Sequence, residues 1–300
     1  MLLSCGRDKW RLLSRSSRVL SLLCHVGRTI VSLLTRSWID LDPSLTYQYE
    51  GTTPYETETR VCDALAALIP EEELLNPDHR LFQISHLIPE LAWCQMHFEF
   101  RRVIAELRNG DYILAGRLLA RVAELAYLPV VATRILLRAL PQYGMLDLRS
   151  KLTANASGLD SPGGKNLRVV SAAVWRAFES AVNREGVVFA SLAKNVARPI
   201  GQPTLTAEEA GLTTVYEGLY KVDSKFTEWR QVHLRLVWAQ LGGLPGTDAD
   251  RDTGREIPAS MRGRPISDLE RMAERPLFPK LWAIISENFR DMGGVAYGVS

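Results

Sequence analysis

Apolar residues recur at steps of three and four along most of the chain, which is the spacing of one face of an α-helix. The clearest case covers residues 226–241, where the apolar face also carries His233. Its other members are Phe226, Trp229, Leu236, Val237 and Leu241. The segment runs into GGLPGT at 242–247, and glycine and proline at such a position end a helix. We therefore predict a long helix that stops at the glycine pair.

A second long helix is predicted from a periodic segment that begins at Phe82. Its regularly spaced members are Phe82, His86, Glu90, Trp93, His97, Phe100 and Ile104. Pro89 should kink this helix, because proline lacks a backbone N–H and its ring clashes with the carbonyl of Ser85. His97 follows His86 by 11 residues. This is about three helical turns, so both imidazoles should point the same way.

The rest of the pattern also indicates helices rather than strands. The further predicted helices cover residues 57–70, 111–140 with an interior break at Pro129, 169–183, about 212 onward after a start signal at Thr206, and 277–288. A loop rich in serine, glycine and proline precedes residue 169, and a polar loop is expected over 248–268. Since runs of alternating β-branched residues are almost absent, we predict an all-α fold, a helical bundle around an internal site.

Composition and charge limit the classes of function. The 300 residues are 46% hydrophobic, enough for one substantial core or two small ones. Residues 1–40 contain seven basic and two acidic residues, a net charge of +5, whereas the whole chain carries only +2. We therefore expect a basic N-terminal extension over 1–40, either loosely ordered, a transit peptide or a membrane-surface helix, and a single domain over 41–300. The slightly acidic domain argues against nucleic-acid binding.

The four cysteines are far apart and form no CxxC pair. They are Cys5, Cys24, Cys62 and Cys94. This spacing fits a reducing cytoplasm better than a disulfide framework. Cys94 falls within a helical pattern, so we expect it to be a small buried side chain. No apolar run reaches the roughly 18 residues that a transmembrane helix needs, which predicts no stable membrane insertion.

The candidate chemistry rests on two histidines. The sequence signatures of phosphate loops, nucleophile elbows, HExxH zinc sites and dinucleotide-binding turns are absent. His86 and His233 each lie on an apolar helix face, 147 residues apart. An inward-facing histidine of this kind is a core residue, a metal ligand or a haem ligand, and these alternatives stay open on the residues alone. His97 competes with His86 for any such role.

The segments around both histidines resemble the tryptophan 2,3-dioxygenase superfamily, the haem-dependent oxygenases of aromatic amino acids. The family motif F-x-x-[TS]-H-x-x-x-E-L, followed by Q and F-E, is matched by Phe82, Ser85, His86, Glu90, Leu91, Gln95, Phe98 and Glu99. The family's second histidine helix, which ends in Gly-Thr, is matched by His233, Gly242, Gly246 and Thr247. SGLDSPGGKNLR at 157–168 is similar to the family's S-G-F-Q-S segment and following arginine, and LFPKLW at 277–282 is similar to a later helix. The resemblance covers about residues 45–290 and implies a helical bundle that encloses a haem.

The resemblance also implies a role for each matched residue. His233 would be the axial ligand of the iron of haem b. His86 would be the distal, catalytic histidine, which hydrogen-bonds the substrate or bound oxygen. Phe82 would line the aromatic pocket.

Further positions are implied to bind an aromatic amino acid as the small-molecule substrate. Arg168 would grip the carboxylate, a task that suits the bidentate guanidinium group. Lys165 is the alternative when the segment is aligned without a gap. Thr247 would contact the amino-acid head group, and Tyr55 would close the pocket.

Two departures from the family pattern shift the predicted reaction. The dioxygenases follow Gly-Thr with Gly-Gly-Ser-Ser-Gly, whereas this chain continues with DADRDTG at 248–254, and its S-G-F-Q-S segment reads SGLDS at 157–161. Both departures fall where the family holds its substrate. In this respect the chain is more similar to the haem-dependent tyrosine hydroxylases of bacterial secondary metabolism, which includes antibiotic biosynthesis.

We therefore predict 3-hydroxylation of L-tyrosine to L-DOPA, with dioxygen or hydrogen peroxide as the oxidant. One alternative is tryptophan 2,3-dioxygenase activity, which opens the indole ring to N-formylkynurenine. A further alternative is a non-catalytic helical binding protein. The resemblance also implies a homo-oligomer, a dimer or a tetramer, whose N-terminal segments complete neighbouring sites.

Overall fold

The computed structural model describes residues 53–153, 158–196, 204–242 and 266–296. Every regular element within these ranges is a helix, and no strand is found among them. The prediction of an all-α fold is therefore confirmed. Contacts divide the chain into two compact units, with the boundary between Pro77 and Asp78. The boundary predicted at residue 40 lies outside the described residues.

The first unit contains two short helices in its described part. They are α1 (Pro54–Thr59) and α2 (Val61–Ala66), followed by a 3₁₀ turn at Glu71–Glu73. A capping box starts α1, because the Thr53 side chain accepts from the backbone N–H of Glu56 and the Glu56 carboxylate accepts from that of Thr53. Arg60 adopts the left-handed conformation, with φ 53°. The continuous helix predicted over residues 57–70 is therefore interrupted at Arg60.

Nine helices make up most of the described part of the second unit. They are α3 (His79–Asn109), α4 (Tyr112–Leu125), α5 (Tyr127–Ala139), α6 (Gln142–Lys151), α7 (Pro162–Arg184), α8 (Phe189–Val196), α9 (Ala207–Leu241), α10 (Ile266–Ala273) and α11 (Pro279–Ala296). The two longest helices share neighbours: α3 packs against α4, α5 and α7, and α9 packs against α4, α5 and α8. The main hydrophobic core lies among these helices.

Glycines allow α9 to approach α4 closely. A Cβ atom added to Gly218 of α9 would lie 2.7 Å from the Cβ of Leu119, and one added to Gly116 of α4 would lie 2.6 Å from the Cγ2 of Thr214. Both distances are too short for non-bonded carbon atoms, so hydrogen at these two positions sets the helix separation. This contact holds the first half of α9 and thereby positions the second half, which carries His233.

The ends of α9 follow the local sequence signals. Thr206 and Glu209 form a capping box at its start. The helix therefore begins at Ala207, directly after the cap, rather than near residue 212. Gly242 adopts φ 73° and ends the helix after Leu241, so the predicted glycine stop is confirmed.

The predicted helix over residues 111–140 is in fact two helices, α4 and α5, which are separated at Ala126. The break is not at Pro129, as we predicted. Pro129 lies in the first turn of α5, where a backbone N–H has no partner within the helix, so the missing N–H does no harm there. A proline close to a helix start is therefore compatible with a break just before it.

The helix predicted over residues 169–183 starts earlier, at Pro162. The Ser161 side chain accepts a hydrogen bond from the N–H of Gly164, at 2.9 Å, and Pro162 is pre-organised for the first helical position. Residues 162–168, which we expected in a loop, therefore form about the first two turns of α7.

Two further expectations concern Cys94 and the membrane. Cys94 is exposed, so its predicted burial is wrong. The buried face of α3 carries Trp93 and Met96 instead, and Cys94 falls outside it. Within the described ranges no helix is long and apolar enough to cross a membrane.

Candidate functional site

The two histidine helices face each other through aromatic side chains. The rings of Trp93 on α3 and Trp229 on α9 meet edge to face, with centroids 5.0 Å apart. His86 and His233 are close enough that the charge of His86 lowers the pKa of His233. His86 lies near His233, and Trp93, seven residues later on α3, contacts Trp229, four residues earlier on α9. The two helices therefore run antiparallel here. The fold thus brings together two histidines that are 147 residues apart in sequence.

The pKa of His233 is low enough for its imidazole to be neutral at physiological pH. Burial is the main cause that lowers its pKa, to about 4, and the charge of His86 adds to the effect. Its ring lies 5.8 Å from that of Trp229. Among the described residues, neither ring nitrogen of His233 has a hydrogen-bond partner. A neutral imidazole with a free nitrogen is the form that ligates a metal ion.

His86 is held in one tautomer by its own helix. Its Nδ1 lies 2.8 Å from the carbonyl oxygen of Phe82, and the two rings are 4.1 Å apart. A carbonyl oxygen only accepts, so Nδ1 carries the proton and Nε2 of the neutral ring is a free acceptor. Burial lowers the pKa of His86, although the Phe82 carbonyl and the charge of Glu90 oppose this effect.

Each of the two histidines contacts an aromatic side chain of its own helix. Phe82 contacts His86 and Trp229 contacts His233, and both aromatic side chains are half-buried. The surrounding protein lowers the pKa of both imidazoles, although His86 is exposed and His233 is half-buried. We call the site formed by these four side chains the histidine recess.

Glu90 ties the N-terminus of α7 to α3, one turn after His86. Its Oε2 accepts a hydrogen bond from the backbone N–H of Gly163, at 2.9 Å. A carboxylate at a helix N-terminus also interacts favourably with the helix dipole. A Cβ atom on Gly163 would lie 2.6 Å from this oxygen and 3.0 Å from the Trp93 ring. The start of α7 is thereby anchored beside the histidine recess.

The two candidates for carboxylate binding lie in different surroundings. The Nζ of Lys165 pairs with the Asp160 carboxylate at 3.3 Å, on the exposed surface. Arg168 is exposed, but its guanidinium carbon lies 6.0 Å from the centre of the Phe226 ring on α9, and partial loss of hydration lowers its pKa. Arg168 therefore lies on the side of α7 that faces the helix of His233, whereas Lys165 is engaged elsewhere.

The sequence analysis missed a buried arginine beside this site. Arg230 is only 6% exposed and its guanidinium carbon lies 4.8 Å from the centre of the Phe226 ring. It precedes His233 by one helical turn, so an arginine within an otherwise apolar helix face was the available signal. Asp223 is a second buried polar residue to which the sequence pattern assigns no role; its oxygens accept from the backbone N–H of Leu277, at 2.5 Å, and from Nε1 of Trp282.

Two predicted site residues are not tested by the geometry. Thr247 lies outside the described residues. Tyr55 belongs to α1 in the first unit, where its side chain is 71% exposed. Its predicted closure of the pocket stays a prediction.

The side chains of the histidine recess are of the chemical types that hold a haem. In the described ranges no three histidine, cysteine, aspartate or glutamate side chains converge on a point that could hold a metal ion. A haem iron needs only one axial histidine from the protein, and His233 offers a neutral ring with free nitrogens. His86, on the facing helix, has a free Nε2, and Phe82 and Trp229 provide apolar ring surface. Buried arginine charge beside the recess suits the propionate groups of a haem.

Comparison with known proteins adds no relative. No protein-family model matches the chain, and no curated protein sequence matches it.

Proposed function

We propose that the protein is a haem-dependent oxygenase that converts a free aromatic amino acid, L-tyrosine, to the 3-hydroxylated product L-DOPA. The observation that carries the proposal is that α3 and α9 meet at the Trp93–Trp229 contact, with His86 and His233 near enough to each other to interact electrostatically. These are the two positions that the family resemblance assigns to the distal and axial histidines. The resemblance was drawn from sequence spacing alone, so their proximity is an independent argument for it.

His233 is the residue that would hold the haem. With a pKa lowered to about 4, its imidazole is neutral at physiological pH and competes for iron without first losing a proton. When bound, the haem would supply the oxidation chemistry, which side chains lack. The protein's own task is then to hold the tyrosine ring in position, exclude water and handle the phenolic proton.

His86 is the residue suited to that proton. Its Nδ1–H is committed to the Phe82 carbonyl, so Nε2 is the acceptor available to the phenol of the substrate. Burial lowers the pKa of His86, which keeps the ring neutral and able to accept a proton near pH 7. The Phe82 ring, packed on the imidazole, also limits its rotation.

Arg168 is our candidate for the substrate carboxylate. Lys165 is already paired with Asp160, whereas no described residue pairs with the guanidinium of Arg168. An arginine forms two parallel hydrogen bonds to a carboxylate, which fixes orientation as well as position. Thr247 and Tyr55 keep their proposed roles at the head group and at the pocket entrance.

The oxidant is hydrogen peroxide or dioxygen. With peroxide, one oxygen atom enters the ring in place of hydrogen and the other leaves as water, so the reaction balances without another reductant. With dioxygen, two further electrons and two protons are required. We further propose a homo-oligomer, a dimer or a tetramer, in a reducing cytoplasm.

Product analysis tests the proposal. Purified protein reconstituted with haem is incubated with tyrosine or with tryptophan, and with either peroxide or dioxygen plus a reductant. We expect a catechol from tyrosine. N-formylkynurenine from tryptophan would instead identify a dioxygenase, and no product from either amino acid would support a binding protein. The His233→Ala variant serves as the control and should form neither product.

A further inference from the structure

Arg230 has a buried edge with no partner. Its Nη1 donates to the carbonyl oxygen of Met272, at 2.7 Å, which secures one side of the guanidinium group. Its Nε and Nη2 are buried, and neither has a hydrogen-bond partner among the described residues. A buried charged donor without an acceptor is unfavourable, because it loses its hydration without gaining a hydrogen bond. Nε and Nη2 of Arg230 therefore lack an acceptor within the described part of the chain.

The two free nitrogens define the shape of that acceptor. Nε and Nη2 lie on the same edge of the planar guanidinium group, where their N–H bonds are parallel. Two parallel donors at this spacing match the two oxygens of a carboxylate, and the bonds are strengthened by charge on both sides. The free edge is thus a bidentate site rather than a single donor.

The surroundings of Arg230 carry excess positive charge. Arg168 lies near enough to lower the pKa of Arg230, and Arg275 near enough to lower that of Arg168. Burial and Arg168 together lower the pKa of Arg230 to about 10, so the group stays charged at neutral pH. Asp223 is the nearby acid that raises the pKa of Arg230, but both of its oxygens already accept from Leu277 and Trp282.

The Phe226 ring lies close to both arginines and also contacts Trp229, a member of the histidine recess. The guanidinium carbons of Arg230 and Arg168 lie 4.8 Å and 6.0 Å from its centre. The same ring contacts Trp229, with centroids 5.4 Å apart, and Trp229 in turn contacts His233. A group bound at the free edge would therefore lie within reach of a ligand in the recess.

We propose that the free Nε/Nη2 edge of Arg230 binds the carboxylate of a ligand held in the histidine recess, with Arg168 as a second cation beside it. The inference rests on the proposed function for the identity of that ligand. The carboxylate belongs either to a propionate of the haem or to the amino-acid substrate. In both cases Arg230 is a binding residue for the ligand, in addition to the predicted Arg168.

Two ligand pairs separate the sources. Haem b and its dimethyl ester differ in the propionate charges, and tyrosine and tyramine differ in the carboxylate. Binding of each is measured by absorption titration in wild type, Arg230→Gln and Arg230→Lys, with Arg235→Gln as the matched control on an exposed position of α9. If a propionate is bound, Arg230→Gln should reduce the preference for free haem over its ester about tenfold or more.

If Arg230 binds the substrate carboxylate instead, Arg230→Gln should reduce the preference for tyrosine over tyramine by a similar factor. The preference for free haem over its dimethyl ester should then stay unchanged. Arg235→Gln should change neither. Arg230→Lys keeps the buried charge but lacks the paired donors, so it should lose most of the same preference while remaining folded by circular dichroism. Unchanged preferences for both ligand pairs in folded Arg230 variants would overturn the inference.

A further arm distinguishes this inference from the proposed function. If wild-type protein binds no haem, the proposed function fails, and the free edge is probed without haem by calorimetry with 3-phenylpropanoate and its neutral amide. If wild type binds the carboxylate more tightly than the amide and Arg230→Lys does not, the carboxylate site at Arg230 is supported even without haem. Equal binding of the two compounds, or none, would overturn it as well.

Discussion

At the scale of single residues, the two histidines of the recess are prepared for different tasks. His233 has a pKa of about 4 and no hydrogen-bond partner among the described residues, so its ring is free to ligate. His86 has one nitrogen bound to the Phe82 carbonyl, so one nitrogen remains for a proton. The difference lies in side-chain orientation, because the His86 imidazole reaches the Phe82 carbonyl of its own helix, whereas His233 makes no such bond in the described part of the chain.

The lowered pKa values predict a pH-dependent stability of the protein without added haem. The unfolded chain takes up protons near pH 6.5, whereas folded His233 does so only near pH 4 and folded His86 below its ordinary value. Stability should therefore fall as the pH falls from about 6.5, by at most about 1.4 kcal/mol per pH unit for each proton. Thermal melts between pH 7.5 and 5 measure this.

The His233→Gln variant should flatten that decline, since it removes the group with the largest depression of pKa. An equally steep decline in the variant would show that His233 does not have the low pKa. The window stops at pH 5 because paired carboxylates begin to take up protons below it.

Replacement of His86 separates catalysis from haem binding. His86→Ala should keep the haem spectrum, because the iron ligand is on the other helix, but should lower kcat for tyrosine by about 10²–10⁴, the usual contribution of a general acid or base. The pH–rate profile of the variant should also lose the ionisation of the imidazole. Unchanged turnover, or loss of the haem itself, would contradict the role assigned to His86.

At the scale of helices, the site depends on how α7 meets α3. The Glu90 carboxylate holds the backbone N–H of Gly163, and Trp93 packs directly on that glycine. Gly163→Ala should therefore cost about 1–3 kcal/mol, because its methyl group would force the carboxylate and the ring apart. Urea unfolding of both proteins gives the difference in free energy.

Gly158→Ala is the matched control for this prediction. It lies in the same segment, and a Cβ atom there would have no heavy atom within 4 Å. Its stability should stay within about 0.5 kcal/mol of wild type. Equal effects of the two substitutions would contradict the close contact at Gly163.

The sequence predicted elements well where local chemistry determines them. The cap at Thr206 and the glycine stop at Gly242 are set by the residues themselves, and both are confirmed. We predicted a helix break at Pro129, but the break is at Ala126. Sequence periodicity does not show whether a proline interrupts a helix or lies in its first turn. An arginine within an apolar helix face was a signal for the burial of Arg230, but its hydrogen bond to the Met272 carbonyl could not be predicted, because Met272 belongs to a distant segment.

At the scale of the whole molecule, α3 presents an apolar stripe to solvent. The stripe consists of Ile84 (40% exposed), Leu87 (42%), Leu91 (70%) and Phe98 (54%). These residues are spaced by three, four and seven, so they share one face, which differs from the face of His86. Exposed stripes of this kind mark contact surfaces, which supports the proposed homo-oligomer.

The stripe gives a prediction for assembly. Wild-type protein should sediment as a dimer or tetramer at micromolar concentration, and the double substitution Leu91→Glu and Phe98→Glu should shift it toward monomer. The thermal melt of the variant's monomer should remain cooperative, because both side chains lie outside the core. A wild-type monomer at every concentration tested would contradict the proposed oligomer.

The haem is the central claim, and the absorption spectrum tests it most directly. Wild type, His233→Ala and His97→Ala are each expressed with haem supplementation, purified and measured at equal concentration. We expect a Soret band in wild type, its loss in His233→Ala, and its retention in His97→Ala, the histidine that competes within α3 for the distal role. A Soret band that survives in His233→Ala with unchanged position, or no Soret band in wild type, would contradict the account.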